Sequence, residues 1–380
     1  MRRFFLSLFS LILAGVPVLF AAPPAMADIQ TGAEHALLMD AATGQVLWQK
    51  DGLVPMPPAS MSKLMTLELL FQRLKDGRIK LTDTLPVSER AWRTQGSKMF
   101  VELGARIPVE DLIRGIVIQS GNDACIVVAE GLGGTVEGFV DMMNRRARQL
   151  GLAQSHFVNP DGLPDPPGQL MSAYDLAKLA RHLIRDYPRY YHYFSEKSFT
   201  WHGIDQPNRD LVLGQLPGAD GLKTGHTDAS GYGITISAVR NNERLILVLN
   251  GLRYPQYHND YFPNIKRAEE AGRIMDIAFR EFRDYDLTKA DQVVGQVPVK
   301  GGAAQSVAVT PGKPIDVAMQ VDSRNAVRTE VKADPNLTAP IAQGARVGSM
   351  VVTAPDFPAM TVPLYAAAPV DRANIFLRAW

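Results

Sequence analysis

The tetrapeptide Ser60-Met61-Ser62-Lys63 sets a hydroxyl and an amine three residues apart, after Pro57-Pro58-Ala59 and before an apolar run. Proline favours helix starts, so Ser60 is expected at the N-terminus of a helix. Residues i and i+3 share a helix face, which brings the Lys63 ammonium beside the Ser60 hydroxyl. A serine hydroxyl becomes a strong nucleophile only when a neighbouring base takes its proton. A lysine can do this when burial and nearby cations lower its pKa. Ser62 adjoins Lys63 and should point elsewhere. Alone, the pattern is better read as a capping serine beside a solvated lysine.

Two further short patterns carry polar chemistry. Ser120-Gly121-Asn122 closes a helix-like segment, and its glycine permits close backbone approach. Lys223-Thr224-Gly225-His226 stands directly before an apolar, β-prone run. On a strand, Lys223 and Gly225 share one face, and Thr224 and His226 the other. With no side chain at Gly225, a substrate has room to lie along that edge as an added strand. Each pattern alone also reads as an ordinary helix stop or turn.

The elements that must hold these residues are visible in the periodicity. Ala36–Leu38 and Gln45–Gln49 read as strands around a turn at Asp40–Gly44. Leu64, Leu67, Phe71 and Leu74 recur at helical spacing. Glu110–Ile118, Thr135–Leu150 and Asp175–Arg185 are further helices. Ile234–Val239 and Leu245–Leu249 form a hairpin through Asn241-Asn242. Near residue 285 the pattern changes. Ile315–Val321 alternates, as do Val327, Thr329 and Val331, and Val307 with Val309, Val347–Val352 and Thr361–Leu364 add short strands punctuated by Pro and Gly. The expectation is an α+β domain over 28–285, with helices against an antiparallel sheet, then a small all-β domain over 290–366 and a tail over 367–380.

Composition narrows the function classes. Lys and Arg number 40 and Asp and Glu 39 in 380 residues, a net charge of +1. That balance argues against nucleic acid as a partner. The single cysteine, Cys125, excludes a disulfide framework and a multi-thiolate zinc site. It sits in an apolar stretch and reads as a core residue. His35, His156, His182, His192, His202 and His258 show no metal spacing, so no metal or cofactor is expected. Arg2-Arg3, the apolar run from Phe4 to Phe20 and Ala25-Met26-Ala27 read as a signal peptide over 1–27, cleaved on export. The mature chain then carries a net charge of −1, and the expected location is the periplasm.

Taken together, S-x-x-K, S-x-N and K-T-G in this order are the signature of penicillin-binding proteins and class A β-lactamases. The chain resembles the low-molecular-mass penicillin-binding proteins, the serine-type D-alanyl-D-alanine carboxypeptidases. Supporting segments are Leu38-Met39-Asp40 with Thr43-Gly44, Pro58–Thr66, Met99-Phe100-Val101 with Gly104, Gln119–Ala124, Ser172–Ala177 and Asp220–Thr227. The close resemblance spans roughly 30–285. The resemblance implies a penicillin-binding/β-lactamase-like catalytic fold. It implies Ser60 as acylated nucleophile, Lys63 as its proton acceptor and Ser120 as proton relay. Asn122 would hold the substrate amide, and Lys223 and Thr224 its terminal carboxylate. Gly225 would leave room for substrate, and the backbone N–H groups of Ser60 and His226 would form the oxyanion hole. The implied partners are peptidoglycan stem peptides ending in D-Ala-D-Ala, and β-lactam antibiotics.

The alternatives are a β-lactamase-like hydrolase, a strict transpeptidase, or a non-catalytic peptidoglycan-binding or β-lactam-sensing protein. A β-lactamase needs a carboxylate to activate the deacylating water; Asp161 and Asp165 are near, without an E-x-x-x-N element. Arg253–Phe262 is longer and more aromatic than the family leads one to expect, and reads as a surface insertion, with glycan contact as its other use. Across that insertion Arg267 is not aligned securely and stays outside the site set. The last residues, Asp371–Trp380, combine Ile375, Phe376, Leu377 and Trp380 with Arg372 and Arg378. They are expected either to touch the outer face of the cytoplasmic membrane peripherally or to dock on the protein.

Overall fold

The computed structural model describes residues 29–355 and 357–373. The signal peptide expected over 1–27 and the tail residues 374–380 lie outside the described residues.

The chain opens with the hairpin β1 (His35–Asp40) and β2 (Val46–Lys50). Its turn is locked by Asp40, whose Oδ1 accepts from Thr43 N at 2.6 Å. A helical stretch follows: α1 (Lys63–Lys75), β3 (Thr84–Pro86), α2 (Glu89–Arg93), β4 (Arg106–Pro108), α3 (Val109–Val117), α4 (Asn122–Gly133), α5 (Val136–Leu150), α6 (Ala173–Asp186) and α7 (Pro188–Tyr191). The hairpin β5 (Ser198–Trp201) and β6 (Ile204–Pro207) comes next. Then β7 (Ala219–Thr227), β8 (Gly231–Arg240) and β9 (Glu243–Leu252) lead into α8 (Tyr261–Glu281). The main sheet has the order β2-β1-β9-β8-β7, all antiparallel, with β7 at one edge.

That sheet is covered on both faces, and strand periodicity sorts its residues. On β9, Leu245, Leu247 and Leu249 face α8 with Ile234 and Ile236 of β8, while Ile246 and Val248 face the helical layer. A strand buried on both faces reads as a continuous apolar run, which is what Leu245–Leu249 is. Asn241 and Asn242 close the β8–β9 hairpin at φ values of 50° and 67°, the left-handed conformation a two-residue hairpin turn needs. Helix ends match their sequence signals. Thr135 and Ser172 cap α5 and α6 by accepting from Gly138 N and Asp175 N.

The second domain begins earlier than the expected boundary at 285. β10 (Phe282–Thr288) starts directly after α8 and pairs with β13 (Ile315–Gln320). The periodicity hides this because helix passes into strand with no linker between them. The remaining strands, β11 (Gly295–Pro298), β12 (Ser306–Thr310), β14 (Arg328–Ala333), β15 (Arg346–Ala354) and β16 (Phe357–Ala366), form a sheet in the order β11-β12-β16-β15-β14. Its core includes Val309, Val317, Val347, Val352 and Leu364. β14 alternates in sequence but lies at the sheet edge, so Thr329 is exposed and Val331 only half-buried. Residues 367–373, read as tail, pack on this domain: Ala367 N donates to Ala308 O, and Val370 pairs with Ile341. Gln45 links the domains, exchanging hydrogen bonds with both backbone groups of Ala318.

Candidate active site

Ser60 lies in a single 3-10 turn, Ala59–Ser62, which runs straight into α1. The turn is pinned between two glycines. A Cβ on Gly162 would lie 2.1 Å from Ala59 O, and one on Gly225 would lie 2.9 Å from Pro58 O. Ala59 itself holds φ at 48°, a left-handed conformation that alanine rarely adopts. Strain of this kind persists only where surrounding structure enforces it. Ser62 turns away as expected, its Oγ donating to Ala59 O at 2.9 Å.

Lys63 opens α1 and is fully buried. Its Nζ lies 2.7 Å from Ser60 Oγ and 2.8 Å from Asn122 Oδ1, and also contacts the backbone oxygen of Asp161. Two of these three partners, an amide oxygen and a peptide oxygen, can only accept. The third is a hydroxyl, which can donate. A neutral Lys63 would therefore give its two protons to Asn122 and Asp161 and turn its lone pair to the Ser60 proton. Burial pushes the Lys63 pKa down, and Arg209 adds to that, while Cys125, Asp161 and Asp123 oppose it.

Ser120 sits at φ 58° in the link between α3 and α4. Its Oγ accepts from Lys223 Nζ at 3.0 Å. Lys223 belongs to β7, so this bond joins the edge of the sheet to the helical layer. Burial pushes its pKa well down, with Lys63, Arg209 and Arg267 adding to the effect. Asn122 is the first residue of α4. Its Oδ1 accepts from Lys63 and its Nδ2 donates to Gln95 O at 2.8 Å. Both ends of that amide are therefore engaged inside the protein, and Asn122 is not among the residues that line the cleft. Asp123 follows, fully buried, accepting from Met99, Phe100 and Val101 N. It ties residues 99–101 to the start of α4, where a carboxylate is favoured by the helix dipole.

Along β7 the faces divide as the sequence suggests. Lys223 and Gly225 share the strand face that meets the helical layer and the Ser60 turn, and Thr224 and His226 share the other, His226 opposite Tyr232. Because β7 is the sheet edge, Thr224 and His226 still reach the cleft. The His226 and Tyr232 rings stack at 3.8 Å between centroids, and Tyr232 donates to Asp260 at 2.6 Å. Burial lowers the His226 pKa, and Asp260 opposes that.

These residues surround a cleft of about 370 Å³. Ser60, Ser120, Thr224, Gly225 and His226 line it, together with two arginines outside the expected set. Arg267, from α8, is 2% exposed and reaches the backbone oxygens of Gly225 and Arg209. Its pKa is pushed down to about 10 by burial. Arg209 donates to Ser97 Oγ at 2.7 Å. The cleft is therefore strongly cationic. Among the described residues its only acidic lining side chain is Asp260. A hydroxyl nucleophile, a buried amine beside it and a cationic pocket suit attack on a carbonyl next to a carboxylate. Cys125 is buried beneath the site with its thiol pushed up to about 12 by burial, which leaves no thiolate for catalysis.

Residues 21–252 match the family model described as D-alanyl-D-alanine carboxypeptidase. The chain belongs to this family. A second family model, described as the C-terminal domain of penicillin-binding protein 5, matches residues 282–372, which agrees with a second domain beginning at β10. D-alanyl-D-alanine carboxypeptidase DacF of Bacillus subtilis is 34% identical over 363 residues, covering 91% of this chain and 90% of the relative. Penicillin-binding protein 5 from Haemophilus influenzae has a solved structure with a TM-score of 0.78 at 32% identity, covering 93% of this chain and 100% of that one. Penicillin-binding protein D2 from Listeria monocytogenes, solved in an ampicillin-bound form, gives a TM-score of 0.59 at 26% identity over 66% of this chain and 99% of that one. The protein is thus a serine peptidase by family, with an α+β catalytic domain followed by an all-β domain.

Arg209 and Arg267 were not recoverable from local sequence. Arg209 lies in a connection without periodicity, held by Asn208, whose Nδ2 donates to Glu196 O. Arg267 lies far along the chain from the last motif residue, His226, and reaches the cleft only because α8 packs under β8 and β9. The nearest available signal was the run Lys266-Arg267-Ala268-Glu269 after the last strand.

Proposed function

We propose that the protein removes the terminal D-alanine from peptidoglycan stem peptides ending in D-Ala-D-Ala, through an ester on Ser60. The observation that carries this is the contact set of Lys63. Ser60 Oγ attacks the carbonyl carbon between the two alanines as its proton passes to Lys63 Nζ. The carbonyl oxygen takes up the electron pair and is held by the N–H groups of Ser60 and His226, each worth ~10²–10³ in rate for a donor of this type. Collapse breaks the C–N bond, and the leaving amine takes the proton of Ser120, whose Oγ is held by Lys223. The proton gained by Lys63 is passed to Ser120 in its place, leaving both groups as they began. Water then attacks the ester carbonyl, giving a proton to Lys63, which returns it to Ser60 Oγ as the ester C–O bond breaks and the shortened peptide leaves as its acid. Lys223, Thr224, Arg209 and Arg267 supply the positive and hydrogen-bonding groups that a terminal carboxylate requires. Gly225 leaves room for the substrate backbone beside β7.

A β-lactam presents a strained amide next to a carboxylate, the same pair of features, and would acylate Ser60. A β-lactamase reading is disfavoured by Asp161. Its Oδ1 accepts from Leu163 N at 3.0 Å, and its side chain does not line the cleft. The first 27 residues support export to the periplasm, where this activity would trim the cell wall and bear on cell shape. Peripheral membrane contact through 371–380 is part of the same proposal. Arg372 of that segment pairs with Gly302 of the β domain, so any contact would be made by the residues beyond it.

Mass spectrometry of a D-Ala-D-Ala peptide after incubation tests the proposal. Loss of one alanine, and its absence in Ser60→Ala, is the expected result; an unchanged peptide would sink it. Penicillin should leave a covalent adduct that persists in Cys125→Ser and disappears in Ser60→Ala.

A further inference from the structure

The segment between β9 and α8 is built as a platform beside the cleft. Its first residue, Arg253, is anchored to Glu34 and to the backbone oxygens of Asp228 and Ala229. Its last, Asp260, accepts from Tyr232. Tyr254 packs inward against Tyr232, and the chain presents three further aromatic rings between and just after these anchors. Tyr257 and Phe262 stack at 5.4 Å and 22°, and Tyr261 meets Phe262 edge-on at 5.3 Å. Tyr261 is 68% exposed and Phe262 48%. Asp260 and Asn264, on either side of the Tyr261–Phe262 pair in sequence, line the catalytic cleft. The exposed rings therefore stand on the first turn of the helix whose Asn264 and Arg267 line the cleft.

We propose that this platform docks the glycan strand to which the substrate peptide is attached, stacking Tyr261 and Phe262 on the apolar faces of its sugar rings. The proposal rests on the carboxypeptidase reading above and extends it from the peptide to its polymer. Three observations favour a sugar over other occupants. A sugar is uncharged around its ring, with apolar C–H faces and a polar rim, which suits aromatic rings next to the exposed Asn259 and the cleft residue Asn264. The neighbouring cations are already paired, Arg253 with Glu34 at 2.9 Å and Lys266 with Glu269 at 2.7 Å, whereas an anionic lipid surface calls for free ones. Three partly exposed rings offer far less than the ~1,000 Å² of a specific protein interface. Anchoring at both ends fixes the rings before binding, which lowers the ordering cost.

The test compares the wild type with a Tyr261→Ser/Phe262→Ser double variant on two substrates, intact peptidoglycan sacculi and a soluble D-Ala-D-Ala peptide. Release of D-alanine from sacculi should fall about tenfold in the variant, the loss of roughly one good stacking contact. Release from the soluble peptide should stay within about twofold, since neither ring lines the cleft. Binding is read separately by co-sedimentation of Ser60→Ala with sacculi, with and without the double substitution. Sedimentation lost with the rings supports the platform even if no D-alanine is released, an outcome that would overturn only the catalytic reading. Equal sedimentation of both proteins overturns the platform. So does an equal loss of activity on both substrates, or a ring-dependent flotation with anionic vesicles that sacculi do not compete away.

Discussion

Lys223 Nζ and Ser120 Oγ meet at 3.0 Å across the boundary between the sheet edge and the helical layer. The cleft is thus closed from two sides, by a lysine on β7 and a serine before α4, with Ser60 and Lys63 on a third element. Catalysis depends on the two layers staying in register. Substitutions at the seam should therefore act on the rate of acylation more than on substrate affinity.

The Lys63–Ser60 pair gives the first prediction. Lys63→Arg keeps the charge but cannot release a proton in the working pH range, so it should form no penicillin adduct on the wild-type timescale, a loss of at least ~10³. Intact-protein mass spectra over time measure it directly. Adduct formation within about tenfold of wild type would remove Lys63 from the role of base.

The same residue sets a pH dependence. Burial lowers the Lys63 pKa, and the neutral amine is the form that takes the Ser60 proton. Acylation should rise with pH and level off below the ordinary lysine value near 10.4. A penicillin acylation rate that keeps climbing through that range would contradict the burial argument.

Gly162 tests the nucleophile turn. Its φ is 83°, and an added Cβ would meet Ala59 O at 2.1 Å. Gly162→Ala should destabilise the protein by more than ~2 kcal/mol, through backbone strain and displacement of the turn. Ser60 acylation should slow as well. Gly272→Ala, where nothing lies within 4 Å of the added carbon, is the control and should be neutral or slightly stabilising in the helix interior. Thermal unfolding and acylation kinetics on both variants check this.

Specificity for a free terminal carboxylate should fall on Thr224 and Arg267 as well as Lys223. An amidated D-Ala-D-Ala peptide leaves those polar groups facing an uncharged end. Discrimination by groups left unpaired commonly reaches ~10⁴. Arg267→Gln should shrink the acid-to-amide ratio in kcat/KM by slowing the acid. Equal turnover of acid and amide by the wild type would rule out carboxylate recognition.

Much of this site was legible because its chemistry is local. Ser60 and Lys63 lie one helical turn apart, and Lys223–His226 occupy consecutive strand positions, so short spacing fixes their geometry. Strands of the second domain followed from alternation, β8 and β9 from continuous apolar runs, and the Asn241-Asn242 turn from residue type. What was not legible depends on packing between distant segments. Arg209 and Arg267 reach the cleft only through the placement of a loop and of α8. The engagement of both ends of the Asn122 amide depends on Lys63 and Gln95 arriving beside it. The domain boundary slipped because α8 becomes β10 without a loop to mark it.

The junction between the domains offers a last test, of stability. Asp284 on β10 has its pKa pushed up to about 7, by burial first and then by Asp40, Glu243, Asp316 and Asp286. Asp286 and Asp316 are also direct cross-strand partners, an unfavourable pairing of like charges. The unfolded carboxyl titrates near 3.9. Between that value and about 7 the folded protein therefore binds more protons than the unfolded chain. Stability must then fall as pH rises through this window. Because Asp284 is only half-buried, the effect should be of order 1–2 kcal/mol, less than the full shift would give. Asp284→Asn removes the charge and keeps most of the shape. It should raise the unfolding temperature at pH 8 by a few degrees and leave it nearly unchanged at pH 5. An equal effect at both pH values would mean that the substitution acts through packing and that the carboxylate cluster is not strained by its charge.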